Sequence, residues 1–289
     1  MPASSTAPVS PTEDALWRLP DRVRVSGGEV AAGVFGDGPP VVLVHGTPAW
    51  SYLWRGVVPQ LARTHRVFVW DMLGFGDSRT APHAVPSIAE QARTLAELVR
   101  HWGLENPALV GHDIGGGVVV RAHLLHHVPA RALALLDAAV LGPWNTPFTE
   151  HQQRYAEAYR TMPADVFADL IATRMRTATH RPMSAETAEA YLAPWYGEAG
   201  QGRWVDQVEA VGHHDTREAV ERLGHITAPT LVLWGAEDTW LPAATADRLA
   251  AAIPAARRET VPGAGHFLPE DAPRETAAAL GRFLAGIGG

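Results

Sequence analysis

Three polar residues, each in a glycine-containing stretch, follow one another in an order that could support nucleophilic catalysis. Asp113 lies in Gly-His-Asp-Ile-Gly, Asp238 in Trp-Gly-Ala-Glu-Asp, and His266 in Gly-Ala-Gly-His. Nucleophile, acid and base occur in this chain order in one class of catalytic triad. A carboxylate nucleophile favours attack on a saturated carbon that bears a leaving group, because attack on an ester or amide would give an unstable anhydride. The plainer alternative is that these are ordinary turns, since aspartate beside glycine is common there.

In the catalytic interpretation, Asp113 displaces the leaving group and becomes an alkyl ester. His266, steered by Asp238, takes a proton from water, and this water attacks the ester carbonyl. The backbone N–H groups of Thr47 and Ile114 are the expected oxyanion donors. This chemistry requires no cofactor and no metal.

Short apolar runs predict the strands that must position these residues. They alternate with helical patterns, which indicates an α/β fold with a doubly wound, mostly parallel sheet whose ligands bind beyond the carboxyl ends of the strands. The predicted strands are Val41–His45, Arg66–Trp70, Ala108–Gly111, Ala132–Leu136, Thr230–Trp234 and Arg258–Val261. The predicted helices are Ser87–Trp102, Gly116–His127, Ala244–Ile253 and Pro273–Leu284.

The alternation of strands and helices is interrupted between about Gly142 and Ala228. This interval has helical patterns, many aromatic residues and no convincing buried strand. We therefore expect a helical cap at residues 142–228, inserted into a core made of residues 15–141 and 229–289. Residues 1–14 are expected to form a flexible tail, because they lack both a basic start and an apolar stretch.

The chain resembles α/β hydrolases from Val41 to the C-terminal helix. Within that superfamily, Gly-His-Asp-Ile-Gly-Gly resembles the aspartate-nucleophile branch, which contains epoxide hydrolases and haloalkane dehalogenases. The run HGTPAWSYLWR, which begins at His45, resembles the haloalkane dehalogenases in particular. The resemblance implies the α/β-hydrolase fold, the triad and the oxyanion pocket.

The leaving group is open between two alternatives. Haloalkane dehalogenases generally have tryptophan directly after the nucleophile, and many have asparagine after the His-Gly pair, whereas this chain has Ile114 and Thr47. Epoxide hydrolases protonate the epoxide oxygen with cap tyrosines, and four of the five tyrosines fall in the cap. Epoxide opening is therefore the leading expectation, with carbon–halogen hydrolysis as the alternative. Fluoroacetate-type dehalogenases hold the substrate with arginines that are here Ile114 and Gly117, which argues against that subclass.

A further set of residues is expected to contact the substrate or the leaving group. Its members are histidines and aromatic residues near the nucleophile or in the cap: His45, Trp50, His112, Trp144, Tyr155, Tyr159, Tyr191, Tyr196 and Trp204. The alternative is that the cap aromatics only pack helices together.

Other polar residues compete for roles. Asp137 is a rival triad acid, because some dehalogenases have theirs after the corresponding strand, and Glu237 is a lesser rival beside Asp238. His123, His126 and His127 have helical spacing, but no accompanying carboxylate or cysteine pattern supports a metal site, so we interpret them as surface or packing residues.

Composition limits the remaining functions. The net charge is −7, all 24 cationic residues are arginines scattered along the chain, and there is no cysteine. These features exclude disulfides and thiol catalysis and do not favour nucleic acid or an anionic membrane as a partner. We expect a soluble cytoplasmic enzyme for a small apolar organic substrate, with a homodimer as an open alternative. A non-hydrolytic alternative is a cofactor-independent oxygenase or a small-molecule binding protein of the same fold.

Overall fold

Nine strands form one sheet in a computed structural model that describes residues 17–254 and 256–287. The strands are β1 Asp21–Val25, β2 Gly28–Phe35, β3 Pro40–Val44, β4 Arg66–Trp70, β5 Arg79–Thr80, β6 Ala108–His112, β7 Ala132–Leu136, β8 Thr230–Gly235 and β9 Ala256–Val261. Their order across the sheet is β1-β2-β4-β3-β6-β7-β8-β9, and β5 pairs with β2. From β4 to β9 all neighbours are parallel, whereas β2 pairs antiparallel with β1, β4 and β5.

Helices cover the sheet and form the segment between β7 and β8. They are α1 Val58–Leu61, α2 Ile88–His101, α3 Ile114–Leu125, α4 Pro147–Arg154, α5 Ala156–Arg160, α6 Ala164–Met175, α7 Ala185–Leu192, α8 Gly197–Ala210, α9 Arg217–Val220, α10 Ala244–Ala252, α11 Leu268–Asp271 and α12 Pro273–Ala285. Short 3-10 helices lie at Ser51–Trp54, Ala193–Trp195, His213–Asp215 and Leu223–His225. In the described part of the segment between β7 and β8, which contains α4 to α9, there is no strand.

The central strands form because their apolar runs are buried on both faces. Every residue of β6, β7 and β8 is buried, as expected for parallel strands with helices on each side. In parallel register, Val44 pairs with Gly111, and His112 pairs with Leu136. The carboxyl ends of β3, β6 and β7 therefore lie side by side, which brings together the loops that follow them.

The α/β-hydrolase fold predicted from the sequence is confirmed, with two differences. The antiparallel β1–β2 hairpin was not predicted, because β1 alternates exposed and buried residues at the edge of the sheet instead of forming an apolar run. Helix α3 begins at Ile114, two residues before the predicted start, so that Asp113 directly precedes the helix. The predicted tail at residues 1–14 lies outside the described residues.

Side-chain hydrogen bonds join the cap to the core. The indole Nε1 of Trp195 donates to the carbonyl of Pro48 at 3.0 Å. The hydroxyl of Tyr191 donates to Glu270 at 2.7 Å, and Arg55 forms a salt bridge with the same carboxylate. Because these contacts are buried or half-buried, we expect them to hold the cap firmly over the carboxyl ends of the strands.

Within residues 17–254 and 256–287, no helix combines the length and the apolar character needed to cross a membrane.

Candidate active site

Asp113 stands at the tip of the turn between β6 and α3. Its backbone has φ 52° and ψ −124°, a conformation that non-glycine residues rarely adopt. Two backbone hydrogen bonds hold this conformation from the side of β7. The N–H of Asp113 donates to the carbonyl of Leu136 at 3.0 Å, and the N–H of Ala139 donates to the carbonyl of Asp113 at 2.9 Å. The side chain is only 6% exposed and lines a cavity under the cap.

Two glycines make this tight turn sterically allowed. A Cβ atom on Gly111 would collide with the carbonyl of Gly115, and a Cβ atom on Gly115 would collide with the carbonyls of Val44 and His45. Strand, turn and helix can therefore approach closely only with glycine at both positions. The two glycines of the Gly-His-Asp-Ile-Gly motif are therefore required by the close packing of the backbone around them.

The two carboxylate oxygens of Asp113 have different surroundings. Oδ2 accepts a hydrogen bond from the backbone N–H of Thr47 at 2.8 Å, and the N–H of Ile114 also stabilises the charged carboxylate. Oδ1 lies 3.7 Å from Nε2 of His266, which is too far for a hydrogen bond. Oδ1 is thus left for attack on a substrate, while Oδ2 lies where an oxyanion would form.

His266 and Asp238 lie with Asp113 in the arrangement that the sequence predicted for a triad. Nδ1 of His266 donates to Oδ2 of Asp238 at 3.0 Å, and Nε2 has no hydrogen-bond partner among the described residues. The second oxygen of Asp238 accepts the backbone N–H groups of Trp240 and Leu241 at 2.8 and 2.9 Å. This carboxylate therefore fixes the imidazole with Nε2 facing Asp113.

The charges of the triad influence one another. Burial raises the pKa of Asp113, although His266 and the two backbone N–H groups oppose this shift. Burial alone would lower the pKa of His266, but the charges of Asp238 and Asp113 raise it overall. Loss of the charge on Asp113 would remove one of the causes that raise the pKa of His266, so the imidazole would then be neutral more readily.

Asp137, the rival acid from the sequence, lies beside Asp238 but does not contact the imidazole. Its Oδ1 accepts the backbone N–H of Gly235 at 2.8 Å, and the residue is fully buried. Burial, and after it the charge of Asp238, raises the pKa of Asp137 well above its usual range. The pKa of Asp137 is thus shifted up and that of Asp238 is shifted down, so Asp137 is the member of the pair that takes up a proton more readily.

The second rival, Glu237, has a structural role. Its Oε2 accepts the backbone N–H groups of Gly263 and Ala264 at 2.8 and 3.1 Å. It therefore holds the loop that carries His266.

Substitution of the two acids should separate their roles. We expect Asp238→Asn to lower kcat/KM by roughly 10³- to 10⁴-fold, because an amide neither stabilises the imidazolium nor selects the productive tautomer. In Asp137→Asn an uncharged amide replaces a buried carboxyl whose pKa is already raised, and the hydrogen bond between Asp238 and His266 stays in place, so we expect a loss within about tenfold. Steady-state kinetics on both variants make the comparison, and a collapse confined to Asp137→Asn would make Asp137 the triad acid.

The cavity over Asp113 extends from the triad to the cap. Besides Asp113, the cavity is lined by Thr47, Pro48, Ile114, Trp144, Asn145, Thr146, Phe148, Thr149, Gln152, Arg174, Trp204, Gln207, Val208, Val211, Trp240, Leu241 and His266. Trp240 also stacks on the imidazole of His266, with ring centroids 4.8 Å apart. Of the expected substrate contacts, the structure brings Trp144 and Trp204 to this cavity.

None of the four cap tyrosines that were expected to contact the substrate or the leaving group lines the cavity. The hydroxyls of Tyr159, Tyr191 and Tyr196 bond to His151, Glu270 and Glu189, respectively. Tyr155 is 47% exposed on the surface. These side chains pack the cap or face solvent, so the structure favours the packing alternative.

His45, Trp50 and His112 are also absent from the cavity wall. Nε2 of His45 accepts the backbone N–H of Met72 at 2.9 Å, and burial lowers its pKa to about 4. Trp50 donates to the carbonyl of Ala190 at 3.1 Å. Nε2 of His112 bonds to the carbonyl of His266 at 2.8 Å. All three therefore support the loops around the site from behind.

Sequence reasoning missed Arg174, Trp240 and Gln152. Trp240 lies two residues after Asp238, a position from which its role could have been suspected. Arg174 and Gln152 carry no such signal. The exposed Arg176 lies two residues after Arg174, and the partly exposed Gln153 follows Gln152, so residue type alone does not show which of each pair faces the cavity. Within the described residues, no group of three or more His, Cys, Asp or Glu side chains could hold a metal ion.

Comparisons with known proteins identify the family of the chain. Residues 39–273 match the family described as "alpha/beta hydrolase fold". The chain is 30% identical over 253 residues to "Haloalkane dehalogenase 2" of Mycobacterium tuberculosis, covering 85% of this chain and 87% of that protein. It is 30% identical over 324 residues to "Epoxide hydrolase A" of the same organism, covering 96% and 98%.

A solved structure of an alpha/beta hydrolase fold protein from Burkholderia ambifaria superimposes with a TM-score of 0.87 and 34% identity, covering 91% of this chain and 97% of that one. The family match includes the segments that carry Asp113, Asp238 and His266. The chain therefore belongs to the α/β hydrolase fold family and is an enzyme of that family.

Proposed function

We propose that this enzyme hydrolyses carbon–halogen bonds through an alkyl ester on Asp113. The observation that carries the proposal is a pair of indole N–H groups in the cavity wall. Nε1 of Trp144 and Nε1 of Trp204 are buried and have no hydrogen-bond partner among the described residues. Unpartnered N–H donors in a largely apolar cavity suit a departing halide, which needs hydrogen bonds but no proton.

The epoxide alternative lacks the acid it needs. An epoxide oxygen leaves as a basic alkoxide and has to be protonated, and none of the described tyrosines lines the cavity. The hydroxyl of Thr47 is also engaged, because it donates to Gln207 at 2.8 Å. These contacts favour the halide over the epoxide oxygen that the tyrosine content had suggested.

In the first step, Oδ1 of Asp113 attacks the carbon that bears the halogen. The new C–O bond forms as the carbon–halogen bond breaks, and the halide leaves with the bonding electrons toward Trp144 and Trp204. The product of this step is a neutral alkyl ester of Asp113.

In the second step, Nε2 of His266 takes a proton from water, and the resulting hydroxide adds to Cγ of Asp113. Negative charge develops on Oδ2, which already accepts the N–H of Thr47 at 2.8 Å. When the intermediate collapses, the alcohol leaves with Oδ1 and takes the proton back from His266. One water is consumed, and alcohol, halide and one proton are released overall.

A substrate panel tests the proposal. Short bromoalkanes, bromocarboxylic acids, bromoamides and terminal epoxides would be incubated with the enzyme, and free bromide and diol would be measured. We expect bromide in equal amounts to alcohol and no diol. Diol without bromide would favour the epoxide alternative, and the absence of both bromide and diol would contradict hydrolysis at Asp113.

Substitution of Trp144 and Trp204 tests whether their indole N–H groups bind the departing halide. Trp144→Phe and Trp204→Phe keep an aromatic ring but remove the N–H donor, so each should lower kcat/KM for halide release by roughly 10- to 100-fold. The loss should be larger for a chloride than for an iodide substrate, because iodide needs less stabilisation. Trp102→Phe, outside the cavity, is the matched control. Equal losses for chloride and iodide would show that the indoles only fill space.

A further inference from the structure

Arg174, on α6 of the cap, presents a cation to the cavity that contains Asp113 and His266. Its guanidinium lies 3.7 Å from the centre of the Trp240 ring. Its polar contacts are long: Nη1 to Thr177 Oγ1 at 3.4 Å and Nη2 to Thr146 Oγ1 at 3.5 Å. Among the described residues, it forms no salt bridge with a carboxylate.

A half-buried arginine without a carboxylate partner destabilises the folded protein unless another negatively charged group, such as a bound ligand, compensates its charge. By contrast, Arg55 and Arg160, which also lie at or near the cap, pair with Glu270 and with Asp206. Burial lowers the pKa of Arg174 to about 10, with the charges of Asp113 and Asp238 opposing the shift, so it remains a cation at neutral pH. We therefore expect a negatively charged partner for Arg174 inside the cavity.

The rest of the cavity wall is compatible with an anion. Among the described lining residues, Asp113 is the one carboxylate. Nε2 of Gln152 is a further buried donor without a partner in the described part of the chain. The planar guanidinium is suited to bind both oxygens of a carboxylate, and stacking on Trp240 orients it.

We propose that the substrate carries a carboxylate, which Arg174 binds while Asp113 attacks the carbon that bears the leaving group. This inference rests on the proposed function and changes the expected substrate class from apolar molecules to small halogenated carboxylic acids. Arg174 also offsets the repulsion between such an anion and the charged nucleophile. The alternative is that Arg174 serves only to balance the triad charges and to pack on Trp240.

The test compares a substrate with its uncharged counterpart. 3-Bromopropionate and 3-bromopropionamide have the same reacting carbon and nearly the same shape, so bromide release from each isolates the effect of the charge. In Arg174→Gln, the ratio of kcat/KM for the acid to kcat/KM for the amide should fall by roughly 30-fold or more, mainly through KM. Arg174→Lys should recover part of the ratio. Arg176→Gln, which removes an exposed arginine just after the same helix, should leave the ratio unchanged.

A binding measurement separates this inference from the proposed function. Propionate, which has no leaving group, would be titrated into Asp113→Asn and into the Asp113→Asn/Arg174→Gln double variant by calorimetry. Binding that weakens by roughly 30-fold in the double variant supports the carboxylate site even if no substrate releases halide. Equal binding in both, or equal losses for acid and amide in Arg174→Gln, would overturn the inference while bromide release from the amide would still support the proposed function.

Discussion

Asp113→Asn should abolish turnover while leaving the protein folded. An amide oxygen is a far weaker nucleophile than a carboxylate, so we expect kcat/KM to fall by about 10⁴-fold or more. The asparagine carbonyl can still accept the N–H of Thr47, and asparagine tolerates the positive φ at this position. Halide release and thermal unfolding on the same preparation make the measurement.

The stability of this variant carries a second expectation. Because the pKa of Asp113 is raised by burial, the folded state disfavours the charged carboxylate at neutral pH. The contribution of this residue to stability therefore falls as pH rises above the pKa of an unfolded aspartate, and a neutral amide should remove that cost. We expect Asp113→Asn to unfold at no lower temperature than the wild type. Intact mass has to verify that the amide has not hydrolysed back to aspartate, and full activity in a verified amide would contradict the role of Asp113.

His266→Gln should stop the reaction halfway. Alkylation of Asp113 does not need the base, whereas attack of water on the ester does, so hydrolysis should slow by roughly 10²- to 10⁴-fold. We expect one equivalent of halide to be released rapidly per enzyme molecule, followed by a stall. Intact mass should show a persistent adduct whose added mass equals that of the substrate minus hydrogen halide.

The double variant Asp113→Asn/His266→Gln is the matched control and should show neither the burst nor the adduct. Peptide mapping of the single variant should locate the adduct at Asp113. A His266→Gln enzyme that loses the first release of halide together with turnover would show that His266 acts before any ester forms.

The core of the fold could be predicted because each buried strand is marked by a short apolar run in the sequence. The residues of β6, β7 and β8 are apolar in sequence since parallel strands are covered on both faces, and polar residues after them fall at the carboxyl edge. The positions of Asp113 and His266 therefore follow from strand ends and chain order alone. The β1–β2 hairpin gave no comparable signal, because its exposed edge strand lacks an apolar run.

The choice between Asp137 and Asp238 depends on tertiary geometry. Both residues follow a buried strand, and both are buried in the same cluster. Only the hydrogen bond from His266 Nδ1 at 3.0 Å, together with backbone donors to its other oxygen, distinguishes Asp238. No spacing rule in the sequence contains that information.

The cap was the least predictable part of the site, since sequence does not show which face of a cap helix turns toward the cavity. The tyrosines drew attention because of their chemistry, yet Tyr159 bonds to His151 and Tyr191 to Glu270. Arg174 and Arg176 are both arginines two residues apart, but Arg174 lines the cavity whereas Arg176 is exposed. Which cap residues face the cavity therefore depends on helix orientations that the local sequence does not reveal.

The central claim is that Asp113 forms an ester that water cleaves at the carbonyl of Asp113 itself. Wild-type enzyme in excess over substrate, in water enriched in ¹⁸O, tests it in a single turnover by mass spectrometry of both product and protein. The alcohol should carry ordinary oxygen from Oδ1, and the peptide containing Asp113 should gain one ¹⁸O atom. Alcohol that carries ¹⁸O from the first turnover, with an unlabelled Asp113, would mean that water attacks the substrate directly and would contradict the claim.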